Sequence, residues 1–131
     1  MGAIERDIFL WLKRPTIAQM KEVLRWAHER ALRAHIRCKD PGLIQEYPSE
    51  IGFDIILRRV DRTAKGFFRI IVRKGMNEML HLDKGKQKDL LDICIFAVRV
   101  GEKDYYMNFY LSAGLLGPLK RKFPMGEEIV R

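Results

Sequence analysis

Seven basic side chains crowd residues 53–74, namely Arg58, Arg59, Arg62, Lys65, Arg69, Arg73 and Lys74, against only Asp54 and Asp61. Cations at this density neutralise phosphates, and apolar or aromatic side chains alongside them suit bases or grooves. Both kinds are here, because FDIIL and FFRIIV flank the basic residues with side chains that fit a pleated, half-buried surface. Between them DRTAKG begins with Asp and ends with Gly, which is loop chemistry. The stretch therefore reads as a basic β-hairpin. Alternation along its second arm sets Phe68, Ile70 and Val72 on one side as a core face. Phe67, Arg69, Ile71 and Arg73 fall on the other, a mixture suited to contact with a partner.

Other chemistries find less support. The chain holds no GxGxxG and no GxxxxGK[ST], which disfavours nucleotide hydrolysis. His28 and His35 stand seven residues apart, about 10 Å along a helix, too far to share one ion. His81 alternates with Leu80 and Leu82, and all three histidines read as structural. Ser49 and Ser112 lack a nucleophile-elbow context, and neither Cys38 nor Cys94 has an evident activating base. No cofactor or metal is expected. Glu29 on a helix, then Asp54, then a hairpin resembles the start of the PD-(D/E)xK nuclease core, which would imply Mg²⁺-dependent cleavage. That pattern needs an acid two residues before the lysine of the second arm. Val72 stands there before Lys74, so the resemblance breaks and a non-catalytic protein is expected.

The elements that must position the basic residues begin with a short helix over 4–13, from the spacing of Ile4, Ile8, Trp11 and Leu12. Lys13-Arg14-Pro15 ends it. Thr16 and Gln19 form a capping-box pattern for a second helix. Ile17, Met20, Leu24, Ala27, Ala31 and Ala34 carry it to about Arg37. Its flank bears Arg30, Arg33 and Arg37, which can track a phosphate backbone. Trp26 lies beside these arginines, placed to stack on a base, anchor a protein partner or pack under a neighbouring loop.

Residues 38–51 read as a connector broken by Pro41-Gly42 and Pro48. After the hairpin, Gly75 precedes a short alternating run at 78–82. A lysine-rich turn with Lys84, Lys86 and Lys88 follows and widens the basic footprint. Residues 90–100 are nearly continuous apolar and read as a buried central strand, with a helix as the alternative. Residues 105–111, YYMNFYL, are an aromatic strand and its hairpin partner. The tail from Ser112, around Lys120-Arg121-Lys122, looks irregular.

Together these give one α+β domain over 1–131, with two N-terminal helices on one face of a mainly antiparallel sheet of about four or five strands. A net charge of +8 favours an anionic partner. The expected function is non-catalytic binding of DNA or RNA backbone through hairpin 53–74 and the basic flank of helix 16–37. The expected contacts are Arg58, Arg59, Arg62, Lys65, Arg69, Arg73, Arg30 and Arg33, with Trp26 as a stacking candidate. The rival is a homo-oligomeric structural or interaction protein that uses the aromatic strand, Trp11, Trp26 and the Phe67/Ile71 face. Two cysteines far apart suggest a reducing cytoplasm. The N-terminal segment lacks the basic region of a signal peptide, and no apolar run approaches a membrane span. Few Asn and Gln amid abundant Arg, Lys and Glu match a thermophile composition, which would also explain basic surface.

Overall fold

A computed structural model describes the backbone of residues 7–40, 43–47, 49–82 and 85–130, and the side chains of residues 7–38, 52–75 and 91–127. The first element is governed by alternation, not by helical spacing. β1 (Asp7–Leu12) buries Ile8, Leu10 and Leu12 and turns Asp7, Phe9 and Trp11 the other way. Of the helix expected over 4–13, residues 7–12 are thus a strand, and residues 4–6 lie outside the described residues. The strand's apolar residues fit either period, and pairing with a neighbour on each side decides the matter.

α1 (Ile17–Arg30) starts as expected. The Thr16 hydroxyl accepts from the Gln19 N–H at 3.0 Å, and the Gln19 side chain accepts from the Thr16 N–H at 2.9 Å. It ends at Arg30, one turn before Ala34 and two before Arg37. Ala31 turns extended, with its N–H donated to the His28 carbonyl, and β2 (Arg33–Asp40) begins two residues later. No Gly or Pro marks this exit, and Ala31 and Ala34 keep a helical spacing past it. The His35-Ile36-Arg37-Cys38 alternation, with Ile36 and Cys38 buried, is what places this segment in the sheet.

β3 (Leu43–Tyr47) pairs with β2, so much of the expected connector is sheet. The basic hairpin does not form. Its first arm lies in α2 (Ser49–Arg59), where Phe53 and Ile56, with Val60 just beyond, are buried at helical spacing. Its turn is a 3-10 helix, Arg62–Gly66, capped by Asp61, whose carboxylate accepts from the Thr63 N–H at 2.9 Å. Only the second arm is a strand, and it belongs to the longer β4 (Phe68–Leu82). The true partner of β4 is β5 (Gly85–Val100), which runs beside β6 (Lys103–Ser112). Residues 90–100 and 105–111 thus form the central strand and hairpin partner that the sequence suggested. The tail is not irregular but holds α3 (Leu116–Lys122) and β7 (Met125–Val130).

The class is α+β, but among the described residues the sheet has seven strands in the order β3-β2-β6-β5-β4-β1-β7, every neighbour antiparallel. The helices do not sit as an N-terminal pair: α1 follows a strand, and α2 and α3 lie further along the chain. One hydrophobic cluster joins Met20, Val23, Leu24 and Ala27 of α1, Phe53 and Ile56 of α2, and Leu116 and Leu119 of α3 to one face of the sheet. His28 is built into it, stacked on Phe53 with ring centroids 3.8 Å apart. Cys38 and Cys94 are buried in the same core and are not joined in a disulfide.

A buried carboxylate closes one end of this layer. Asp92, 2% exposed, accepts from the N–H of Gly75 at 3.1 Å and of Gly114 at 3.2 Å. Both glycines have positive φ, 70° and 93°. Gly75 lies in the irregularity where the β4–β5 register shifts between Arg73 and Met76.

Candidate functional site

Alternation puts a second set of side chains on the sheet face away from the helices. Register fixes their neighbours. Across β2, β6, β5, β4 and β1, one row reads Arg33, Tyr110, Ile93, Arg73 and Asp7. The next reads His35, Asn108, Ile95, Ile71 and Phe9, and the one after it Arg37, Tyr106, Ala97 and Arg69. At the end of β5 Arg99 faces Asp104, and its N–H donates to the Phe67 carbonyl at 3.0 Å. Arg33, Arg69 and Trp11 are exposed, while Phe67, Tyr106, Asn108 and Tyr110 are half-buried.

Five arginines share this face with two aspartates among the described residues. Arg73 gives Asp7 a two-pronged contact, Nε to Oδ1 at 3.0 Å and a terminal nitrogen to Oδ2 at 3.2 Å. Arg99 holds Asp104 in the same way, at 2.8 and 3.3 Å, which holds its guanidinium protonated even more firmly than usual. Arg33, Arg37 and Arg69 have no carboxylate partner among the described residues. The Arg33 guanidinium lies 4.8 Å from the Tyr110 ring centre, and those of Arg69 and Arg99 lie 5.2 and 5.0 Å from Phe67. Stacking on a ring fixes the plane of a guanidinium and leaves its edge N–H groups for an anion. Two polar atoms in this region are buried without a partner, Arg37 Nε and Asn108 Oδ1. Leaving such a group unpaired costs about 1–3 kcal/mol, and because both atoms are shut off from solvent a ligand reaches them only once the side chain turns outward.

The residues singled out in the sequence divide among three places. Arg33, Arg69 and Arg73 come together on the outer sheet face. Arg58 and Arg59 end α2, and Arg62 and Lys65 lie in the 3-10 turn, all four exposed. That turn is tied to the Phe67/Arg99 end of the sheet, where the Gly101 N–H donates to the Thr63 hydroxyl at 2.9 Å. Arg59 lines an open hollow there with Asp61, Glu102, Lys103 and Tyr105, a mixed-sign lining. Arg30 and Trp26 form the third group, near α3. Trp26 is 5% exposed, edge-on to Phe123, with the Arg30 guanidinium 4.4 Å over its ring. It packs inside the fold, the third of the sequence alternatives. Lys84, Lys86, Lys88 and His81 have side chains outside the described residues.

The nuclease-like pattern does not assemble. Asp54 lies on α2, not on a strand, Glu29 is exposed on α1, and Val72 is buried in the core. Among the described residues no group of three or more His, Cys, Asp or Glu side chains could hold a metal ion. No helix among them is long and apolar enough to cross a membrane. Tyr106, Asn108 and Tyr110 joined the site only through the pairing of β6 with β2 and β5. The alternation in YYMNFYL was the signal that could have found them. No protein-family model, no curated protein and no solved structure matches the chain.

Proposed function

We propose that this protein binds single-stranded DNA or RNA, without cleaving it, on the outer face of its sheet. The observation that carries this reading is the interleaving there of Arg33, Arg37 and Arg69, none paired with a carboxylate among the described residues, with Phe67, Tyr106 and Tyr110. Arginine supplies phosphate contacts, and flat rings supply platforms on which any base can stack. The form of the surface favours a single strand. A duplex groove admits a helix or a two-stranded ribbon, whereas a face several strands wide can take splayed, unstacked bases. The exposed cations Arg58, Arg59, Arg62 and Lys65 extend the positive field past the Phe67 end and steer an anionic chain toward it. Such a protein belongs in the cytoplasm, in keeping with its reduced cysteines.

The test is fluorescence anisotropy with labelled single- and double-stranded DNA and RNA at rising salt. Phosphate contacts by Arg33 and Arg69 give a slope of log affinity against log salt of about −1.4 for a single strand. Arg33→Ala, Arg37→Ala and Arg69→Ala combined should abolish most binding. No binding at low salt, or binding indifferent to salt, would overturn the reading.

A second reading uses the same face as a homo-oligomer interface. It is favoured by the apolar run Phe9, Ile71, Ile95 across three adjacent strands and by Trp11, 44% exposed. A mass above the monomer in light scattering, unchanged at high salt, would support it.

A further inference from the structure

We infer that Asn108 and Arg37 read base edges, so that the outer face discriminates among nucleobases as well as holding phosphates. This rests on the single-strand reading above. Asn108 stands between Tyr106 and Tyr110 on the same side of β6, two residues and so about 7 Å from each. A base stacked on the Tyr106 ring brings its hydrogen-bonding edge toward the amide, while the Tyr110 ring carries the Arg33 guanidinium.

A face needing only positive charge has no use for an amide here. Asn presents one acceptor and two donors, and a planar guanidinium presents a fork of donors. These are the groups that pair two-pronged with adenine and guanine edges respectively. Neither residue is committed elsewhere at the atoms in question, since Asn108 Oδ1 and Arg37 Nε have no hydrogen-bond partner. Rotating the Asn108 amide to offer the oxygen outward therefore breaks no bond to that oxygen. Arg37 sits opposite Tyr106, and Asn108 opposite His35 in the neighbouring pair, so the two side chains flank one site on adjacent strands. Arg33 and Arg69, by contrast, are exposed and carried over rings, positions that suit phosphates.

The experiment is anisotropy of the full chain with labelled 12-nucleotide homopolymers of each base, as DNA and as RNA, at one fixed low salt. The wild-type protein should prefer its best homopolymer over its worst by about tenfold or more, the discrimination one two-pronged base contact provides. Asn108→Ala should lose most on the preferred homopolymer and narrow that spread to about threefold or less. Arg37→Lys keeps the charge but not the fork, and should narrow the spread while retaining the slope against salt. Arg69→Ala should weaken every homopolymer by a common factor. Melting curves of each variant identify any that fails to fold, and the two reading residues test the idea independently. Wild-type binding with no preference, or a preference surviving in Asn108→Ala and Arg37→Lys, overturns this inference and leaves the phosphate-binding face standing. No binding of any homopolymer overturns both.

Discussion

The Trp11 indole lies on Gly126, its partner across the β1–β7 ladder, so closely that a Cβ on that glycine would fall 2.2 Å from Trp11 Cε2. The glycine is thus the floor on which an exposed tryptophan rests, an arrangement that covers bare backbone near the sheet edge with an aromatic ring. Gly126→Ala should cost about 1–3 kcal/mol by overpacking. The nearest atoms to the new methyl all belong to Trp11, so in a Trp11→Ala background the same change should cost less than about 0.5 kcal/mol. Urea denaturation of the four proteins measures the difference, and equal costs in both backgrounds would show that the clash lies elsewhere.

Asp92 ties two positive-φ glycines, one in the β4 irregularity and one in the turn after β6, to the middle of the sheet. Asp92→Ala leaves two N–H groups without their acceptor, and should destabilise by about 2–6 kcal/mol at roughly 1–3 kcal/mol for each group. Amide hydrogen exchange at Gly75 and Gly114 should accelerate more than at the β5–β6 ladder. Unchanged protection at both glycines would refute the clamp.

Burial pushes the Cys94 thiol well above its ordinary value, and the Asp92 charge adds to the effect. The folded protein therefore keeps this proton where the unfolded chain releases it. Stability from this source is full below the unfolded thiol value of about 8.5 and declines as pH rises past it. Comparing urea midpoints at neutral and alkaline pH, the loss should be smaller in Cys94→Val than in wild type. In the native state the thiol should also resist alkylation at pH 8, and rapid modification would contradict its burial.

Asp7 occupies Arg73 from the edge of the outer face, in a pair whose side chains are about one-third exposed. Such pairs contribute about 0–1 kcal/mol, so Asp7→Asn should barely change the melting temperature. If the face binds an anionic strand, the same change removes a negative charge and loosens Arg73, and affinity should rise about two- to fivefold at low salt. Titration by anisotropy decides it. A drop in affinity would mean that the pair exists to hold Arg73 in its binding position.

What the sequence made legible depended on whether local chemistry or long-range pairing set the structure. The Thr16/Gln19 box is local and was readable, as was the apolar continuity of β5 beside the alternating aromatics of β6. The side of β4 that carries Arg69 and Arg73 was readable too, because alternation alone decides it. Residues 53–59 were not: Phe53, Ile55, Ile56 and Leu57 have the composition of a strand, and only the burial of Phe53, Ile56 and Val60 at helical spacing reveals α2. Arg33 and Arg37 read as a helix flank because alanines extend its period past the real end. Their place on the sheet depends on β6, some seventy residues away, and no spacing within residues 16–37 encodes that register.

The position of β1 has a consequence for time. This strand lies between β4 and β7, pairing Asp7 with Arg73 on one side and Leu12 with Met125 on the other. Hairpins β4–β5 and β5–β6 join neighbours in the chain and can zip early, but β1 must wait for two partners remote from it and from each other. Closing such long loops is slow, and the rate falls as the mean separation of contacting residues grows. Refolding should therefore be slow for a chain of this size. Destabilising changes at the β1–β7 seam should mainly hasten unfolding, and changes in β5 should mainly retard folding.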